Sequence, residues 1–182
     1  MIAIVGQSGV GKDTVMAALR ARCPEMAQVR RTITRPCDET GEEHFATSDC
    51  AFSLAKSREE FILDWEAHGL SYGISHCSVA PLLSGRDMLI NLSRGTLEAA
   101  DSVFDRFIVI NLIAPRAVLR KRLKRRGREN LDEMAERLDR KMPQLPGSLK
   151  SHEVSNDRDV RETVDEILDI LLKESRCHVT EK

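Results

Sequence analysis

Nine consecutive residues near the start of the chain have the types and spacing that bind phosphate. Glycine lets the backbone curl around an anion with several N–H groups pointing inward. A helix that follows adds its unpaired N-terminal donors, and a lysine at this spacing reaches the β- and γ-phosphates of a nucleotide such as ATP. A turn that merely joins a strand to a helix does not need three glycines and a lysine. The segment reads Gly6-Gln7-Ser8-Gly9-Val10-Gly11-Lys12-Asp13-Thr14.

One position departs from the usual Walker A pattern. The residue after the lysine is normally Ser or Thr, whose hydroxyl ligates Mg²⁺, but here it is Asp13. In one interpretation the Asp13 carboxylate holds Mg²⁺, directly or through a metal-bound water, because hard cations prefer oxygen ligands. In the other, Asp13 only complements the positive end of the helix, and Thr14 or water serves the metal. We favour the first, because a metal removes the repulsion between a carboxylate and a triphosphate.

Composition narrows the class of protein. The 182 residues carry a net charge of −1, from 20 Arg and 8 Lys against 29 acidic residues. This balance disfavours a general nucleic-acid binder, while arginine suits local phosphate sites. No apolar run approaches the roughly 20 residues that span a bilayer, and five cysteines without a C-x-x-C pair argue against disulfides or zinc. We expect a cytoplasmic protein with no membrane or nucleic-acid partner, and the oligomeric state stays open.

The elements that must position these residues indicate an α/β fold. Short apolar runs alternate with helical patterns, which is typical of a parallel sheet flanked by helices. The segment from about residue 30 to 75 differs, because short extended pieces alternate there with turn residues, and we interpret it as a small inserted lobe. We predict strands at 2–5, 88–90, 107–113 and around Val154, and helices at 13–22, 131–142 and 160–171. The basic segment 116–128 is predicted to contain a further helix, which Pro115 begins as its first residue and Gly127 ends.

Two stretches within the inserted lobe carry a family resemblance. They are 30–36, which contains Thr34-Arg35-Pro36, and 63–74, which contains Asp64-Trp65 and Tyr72-Gly73. Together with the phosphate loop they resemble the guanylate kinase family of P-loop kinases, in which the corresponding lobe binds the phosphate acceptor. The resemblance implies one P-loop NTPase-type domain over 1–182. Its core is 1–29, 76–124 and 142–182, its acceptor lobe is about 30–75, and its lid is about 125–141.

The departures from guanylate kinases concern the acceptor. A guanine site needs acidic acceptors, whereas this lobe has Arg31 at the base-reading serine, and Asn91 replaces an aspartate. The chain is similar to one branch of the family, the ribose 1,5-bisphosphate phosphokinases, through Gly11-Lys12-Asp13 and Asn91-Leu92-Ser93-Arg94. The branch implies transfer of the ATP γ-phosphoryl group to ribose 1,5-bisphosphate, giving 5-phospho-α-D-ribose 1-diphosphate. The candidate acceptor-binding residues are Arg31, Arg35, Asp64, His68, Tyr72, Asn91 and Arg94.

Simpler structural roles compete for several of these residues. Trp65 is expected to pack in the lobe core, and His68 beside Gly69 is also consistent with a turn. The basic segment 116–128 is consistent with a solvated face or an RNA-binding patch, but the family resemblance makes its end part of a lid that closes over ATP. Lid arginines neutralise charge on the transferring phosphoryl group. The candidates for that role are Arg122, Arg126 and Arg137.

Asn156 precedes the last predicted helix and has two interpretations. The resemblance places it near the adenine of ATP, whereas its residue type also suits a helix N-cap. Three rival functions stay open at this point: a GMP kinase, a guanylate-kinase-like binding module without catalysis, and an RNA-binding protein. The retained lysine and glycines of the loop disfavour the binding module, and the absence of an aromatic RNA platform disfavours the last.

Overall fold

The computed structural model describes residues 1–36, 43–67, 69–126 and 144–179. Its elements follow the alternating order that the sequence predicts for an α/β fold. In chain order they are β1 (Ile2–Gly6), α1 (Lys12–Arg22), β2 (Ala27–Gln28), β3 (Thr32–Ile33), β4 (Phe45–Ala46), α2 (Asp49–Ser57), β5 (Phe61–Ala67), β6 (Leu70–Ser75), α3 (His76–Val79), β7 (Met88–Asn91), α4 (Leu97–Val103), β8 (Ile108–Ile113), α5 (Arg116–Arg126), β9 (Ser151–Ser155) and α6 (Val160–Val179), with 3₁₀ turns at Ala80–Ser84 and Arg94–Thr96.

Five strands form the central sheet in the order β2-β7-β1-β8-β9. All four pairings between neighbours are parallel. Strand β1 lies in the middle, and its residues 2–5 are all buried, because a parallel sheet covered on both faces needs apolar side chains on both. One buried cluster packs on the face that includes α4, and the other packs on the face covered by α1, α5 and α6.

A second, smaller sheet lies within the segment predicted as a lobe. Its strands run in the order β4-β3-β6-β5, with β6 antiparallel to both of its neighbours. Helix α2 packs on one face through Phe52, whose ring stacks on Phe61 of β5 at 4.7 Å between centroids. On the other side the lobe is continuous with the main core, since Leu63 and Ile74 belong to the cluster that contains α4.

The predicted elements that fall on described residues are present in the structure, with small shifts at most ends, and the last helix, predicted over 160–171, continues to Val179. Strand β8 begins one residue late, and the strand predicted around Val154 spans five residues. Pro115 was predicted to be the first residue of α5, but it is the N-cap that precedes it. Its carbonyl accepts from the N–H groups of Val118 and Leu119. The predicted helix at 131–142 lies outside the described residues. In the described part of the chain no helix is long and apolar enough to cross a membrane.

Candidate active site

The carboxyl ends of the parallel strands bring the predicted site residues to one edge of the sheet. Strand β1 ends at Gly6, β7 at Asn91, β8 at Ile113 and β9 at Ser155. Register pairs such as Ile4 with Asn91 and Gly6 with Leu112 place these ends side by side. The phosphate loop, Arg94, the start of α5 and Asn156 therefore gather at the edge where ligands bind in open α/β sheets.

Two glycines of the phosphate loop occupy positions that no other residue fits. Gly6 has a φ of 146°, and a Cβ atom there would lie 2.4 Å from the carbonyl oxygen of Leu112. Gly11 has a φ of 98°, and a Cβ atom there would lie 2.8 Å from Nδ2 of Asn156. The first is excluded by the close approach of β8, and the second by the segment after β9. At these two positions the backbone of the loop therefore carries no side chain, and its N–H groups are the kind of donor that a phosphate needs.

Lys12, Asp13 and Thr14 form the first turn of α1. The Lys12 ammonium donates to the carbonyl of Gly6 at 2.9 Å and to that of Gln7 at 3.4 Å. Asp13 and Thr14 are exposed, so an oxygen ligand for a cation is present at the start of the helix. Gly11 is the N-cap and supplies no side-chain cap. The first N–H groups of α1 therefore point out of the helix without a side-chain acceptor at the cap, as an anion site requires.

The loop is held from behind by two residues that donate to the same carbonyl. Nη1 of Arg122 lies 2.9 Å from the carbonyl oxygen of Val10, and Nδ2 of Asn156 lies 2.7 Å from it. The amide oxygen of Asn156 accepts from the Thr163 hydroxyl at 3.0 Å, and Asn156 is only 4% exposed. This pair, Arg122 and Asn156 on Val10, is called the loop clamp below.

The loop clamp involves two residues, Asn156 and Arg122, for which the sequence predicted other roles. The helix-cap interpretation of Asn156 is wrong, because α6 begins at Val160 and the N–H of Arg161 donates to Asp159 Oδ1 at 2.8 Å. Arg122, expected to face the transferring phosphoryl group, instead holds the loop through Val10. The guanidinium has five donors, and the bond to Val10 uses one of them. The predicted contact between Arg122 and the transferring phosphoryl group therefore remains a prediction.

Arg31 lies over a pair of aromatic rings in the acceptor lobe. Trp65 and Tyr72 are register partners on β5 and β6, and their rings stack at 5.3 Å with 7° between planes. The Arg31 guanidinium carbon lies 5.2 Å from the Tyr72 ring centroid and 5.9 Å from that of Trp65. Trp65 also packs against the core cluster, as predicted. The rings thus hold a cation by a cation–π contact where a guanine site would carry a hydrogen-bonding side chain.

Arg35 lies in a bend stabilised by a histidine that the sequence analysis did not select. Nε2 of His44 lies 3.1 Å from the carbonyl oxygen of Arg35; since a carbonyl only accepts, Nε2 is the donor. His44 is buried. The Nε atom of Arg35 is also buried, and no hydrogen-bond partner for it is found among the described residues. Such a donor is well suited to an anionic ligand, because an unsatisfied buried N–H is unfavourable.

Arg94 is held by a second residue that the sequence analysis missed. Its Nη2 atom donates to Oδ1 of Asn111 at 2.7 Å, and Nδ2 of Asn111 donates to Glu153 at 3.3 Å. Burial lowers the pKa of Arg94, and the nearby charge of Glu153 opposes that shift. The signal for Asn111 was present in the sequence, because an amide interrupts the apolar run 107–113.

Asp64 does not join the other candidate acceptor residues. It lies opposite Gly73 in the β5–β6 register, and a Cβ atom on Gly73 would touch the Phe61 ring that packs against α2. Because directly opposite residues of two antiparallel strands project to the same face, and a bulge between Phe61 and Leu63 shifts the alternation, Asp64 lies on the helix-covered face. It forms an ion pair with Lys56 of α2. Trp65 and Tyr72 occupy the opposite face. Asp64 is thus separated from the Trp65–Tyr72 face, and its predicted contact with the acceptor remains a prediction.

Three of the remaining predicted residues fall outside what the structure describes, and a fourth, Asn91, lies within it. His68 and Arg137 lie outside the described residues, and so does the side chain of Arg126, the last residue of α5. Asn91 is half-buried at the end of β7, beside β1.

This fold has clear counterparts among solved structures. A guanylate kinase from Anaplasma phagocytophilum superposes with a TM-score of 0.70 at 19% identity, over 96% of this chain and 85% of that one. The arrangement of a glycine loop, a parallel sheet and a small antiparallel lobe is thus that of a P-loop domain with the guanylate kinase fold. No protein-family profile matches the chain.

Relatives in sequence define the family more narrowly. A ribose 1,5-bisphosphate phosphokinase PhnN from a Ruegeria species is 42% identical over 158 residues, which cover 86% of this chain and 83% of the relative. A bifunctional ribose 1,5-bisphosphokinase-thymidine phosphorylase from Azorhizobium caulinodans is 36% identical over 175 residues. That match covers 94% of this chain but only about a quarter of the bifunctional relative. The chain belongs to the ribose 1,5-bisphosphate phosphokinase family.

Proposed function

We propose that the chain is an ATP-dependent kinase that phosphorylates ribose 1,5-bisphosphate on its 1-phosphate, giving 5-phospho-α-D-ribose 1-diphosphate. The observation that carries the proposal is the charge of the acceptor side. Arg31, Arg35 and Arg94 supply three guanidinium groups there, while Asp64 is turned away and paired with Lys56. A sugar with two phosphates matches such a site, because guanidinium groups bind phosphate oxygens in a bidentate manner.

In the proposed reaction, an oxygen of the acceptor's 1-phosphate attacks the γ-phosphorus of ATP. A new P–O bond forms, the bond between the γ-phosphorus and its bridging oxygen breaks, and ADP leaves with that electron pair. A phosphate oxygen is already ionised near pH 7, since the second pKa of a phosphate monoester is about 6. No strong general base is therefore needed, and catalysis consists of alignment and charge neutralisation.

The described residues divide these tasks between donor and acceptor. We assign the donor phosphates to the N–H groups of residues 6–14 and to the Lys12 ammonium. The acceptor phosphates are assigned to Arg35 and Arg94, and the ribose end to Tyr72. Asp13 would hold Mg²⁺, for which its exposed carboxylate at the start of α1 is a fitting oxygen ligand. The metal would supply further neutralisation of the triphosphate charge. Because ATP is the donor, we place the reaction in the cytoplasm.

The test is an acceptor panel with ATP and Mg²⁺. Purified protein is assayed with ribose 1,5-bisphosphate, GMP, AMP and ribose 5-phosphate, and both the diphosphate product and ADP are quantified. A guanine placed here would leave at least one donor unpaired, which costs about 1–3 kcal/mol, or roughly tenfold or more in affinity. We expect kcat/KM for the bisphosphate to exceed that for GMP by more than about tenfold. Equal or faster turnover of GMP would overturn the proposal.

A further inference from the structure

Asn111 is a deeply buried polar side chain that reaches an arginine of the acceptor side, and the proposed reaction does not use it directly. It is 3% exposed in the middle of β8, between Ile110 and Leu112, which are almost completely buried. Its register partners are Val5, one residue before the phosphate loop, and Glu153 on β9. An amide in such a strand is unfavourable unless both of its ends are hydrogen-bonded, and here both are.

The partners fix the orientation of the amide. A guanidinium only donates and a carboxylate only accepts, so the oxygen must face Arg94 and the nitrogen must face Glu153. The distances agree, at 2.7 Å for the arginine bond and 3.3 Å for the carboxylate bond. Glu153 therefore orients Asn111, and Asn111 in turn orients Arg94. No other side-chain type of this size provides an acceptor on one side and a donor on the other.

We propose that Asn111 is a positioning residue that aims Arg94 at a phosphate of the acceptor without neutralising it. The inference rests on the proposed function, since it assumes that Arg94 contacts the acceptor. A carboxylate at position 111 would pair with the guanidinium and compete with the substrate phosphate for it. The neutral amide holds the side chain without forming an ion pair with it. Glu153, the other hydrogen-bond partner of Asn111, offsets part of the unfavourable burial of the Arg94 charge.

A double-mutant cycle between the two residues provides the test. The variants are Asn111→Leu, Arg94→Ala and the double variant, and the KM for acceptor and the KM for ATP are measured for each. Loss of a bond to a charged group predicts an increase of about tenfold in acceptor KM for Asn111→Leu, with ATP KM within about twofold of wild type. In the Arg94→Ala background the same substitution should leave acceptor KM unchanged. Strict additivity of the two effects would overturn the proposal.

Two further variants separate positioning from folding. Asn111→Asp has the same shape and should also raise acceptor KM, because its carboxylate would form an ion pair with the Arg94 guanidinium. This variant keeps the proposal testable if Asn111→Leu does not fold. His152→Asn is the matched control: it changes the neighbouring residue of β9, whose side chain bonds to Glu174 of α6, and it should leave acceptor KM unchanged. An Asn111→Asp variant with wild-type acceptor KM would contradict the role.

The role of Asn111 can be tested whether or not ribose 1,5-bisphosphate is the acceptor. The cycle uses whichever acceptor of the panel the wild-type protein phosphorylates fastest, so a preference for GMP would contradict the function and leave the coupling measurement intact. The Arg94 Nε–H signal in a ¹⁵N spectrum, assigned by its loss in Arg94→Ala, gives a readout without turnover. We expect it to be sharp in wild type and broadened by fast exchange in Asn111→Leu. An unchanged signal would show that Asn111 does not hold the guanidinium.

Discussion

Replacing Asn156 with alanine should weaken the phosphate loop and the fold together. The substitution removes the bond to the Val10 carbonyl at 2.7 Å and the bond from Thr163 at 3.0 Å. Val10 keeps Arg122 as a donor, and the Thr163 hydroxyl keeps only the longer contacts to the carbonyls of Ser155 and Asp159, at 3.4 and 3.5 Å. The loss is therefore about 1–3 kcal/mol. For a domain of this size that lowers the melting temperature by roughly 2–12 °C.

The isosteric variant Asn156→Asp adds a pH dependence that alanine lacks. It keeps the bond from Thr163 but sets a buried carboxylate against the Val10 carbonyl. Burial and this contact should raise the pKa of the introduced carboxyl above its unfolded value of about 3.9, and the Arg122 guanidinium on the same carbonyl opposes part of that shift. The folded state then prefers the protonated form, so the stability deficit is small at low pH. It grows as the pH rises from about 4 through the folded pKa and is constant above it.

Thermal unfolding between pH 4 and 8, combined with ATP titration, tests both variants. The control is Asp159→Ala, which removes the α6 cap at about 1 kcal/mol without touching Val10 and should leave ATP affinity unchanged. We expect weaker ATP binding in both Asn156 variants and a melting temperature that falls with rising pH only in Asn156→Asp, relative to wild type. Wild-type ATP affinity in Asn156→Ala, or the same pH profile for both variants, would refute the reasoning.

Three other substitutions test separate parts of the molecule. Lys12→Ala should abolish phosphoryl transfer while the protein stays folded, and comparable activity would mean that the loop is not the donor site. Asp13→Asn should raise the Mg²⁺ concentration for half-maximal rate while Asp13→Ser retains activity; an unchanged Mg²⁺ dependence in the Asn variant would support the helix-dipole role. The hydrogen bond from Lys150 lowers the pKa of Glu174. The stability that this carboxylate adds should therefore be present above its unfolded pKa of about 4.3 and disappear as the pH falls through the lower folded value. Glu174→Gln should lack that transition in acid unfolding curves, and identical curves would exclude the linkage.

The core sheet and the loop were predictable because each depends on short-range patterns. Apolar runs of four to seven residues mark strands that are buried on both faces, and the glycine spacing marks the loop at 6–11. The second sheet was harder to define. Its strands β3 and β4 have only two residues each, too few for a period to be recognised, so the sequence indicated a lobe without its strand pairing.

The surroundings of individual side chains were harder to predict than the elements that carry them. Asp64 was predicted together with Trp65, but adjacent residues on a strand point to opposite faces, so its ion pair with Lys56 could not be foreseen. Asn156 had two interpretations from the sequence, and only the structure shows that the cap of α6 lies at Asp159. Asn111 was overlooked because it lies inside a run that predicted a strand well. Its partners Arg94 and Glu153 are 17 and 42 residues away in sequence, and no local pattern connects them.

The loop clamp has a consequence for how the chain acquires its binding site. The two groups that hold the Val10 carbonyl lie 112 and 146 residues further along the chain. The loop is therefore fixed only when segments far apart in sequence have packed beside it, because β9 must pair with β8 before Asn156 can reach Val10. Contacts of such separation close slowly. The shape of the phosphate loop in this protein thus depends on the pairing of β8 with β9 and on the packing of α5, and not on the loop sequence alone.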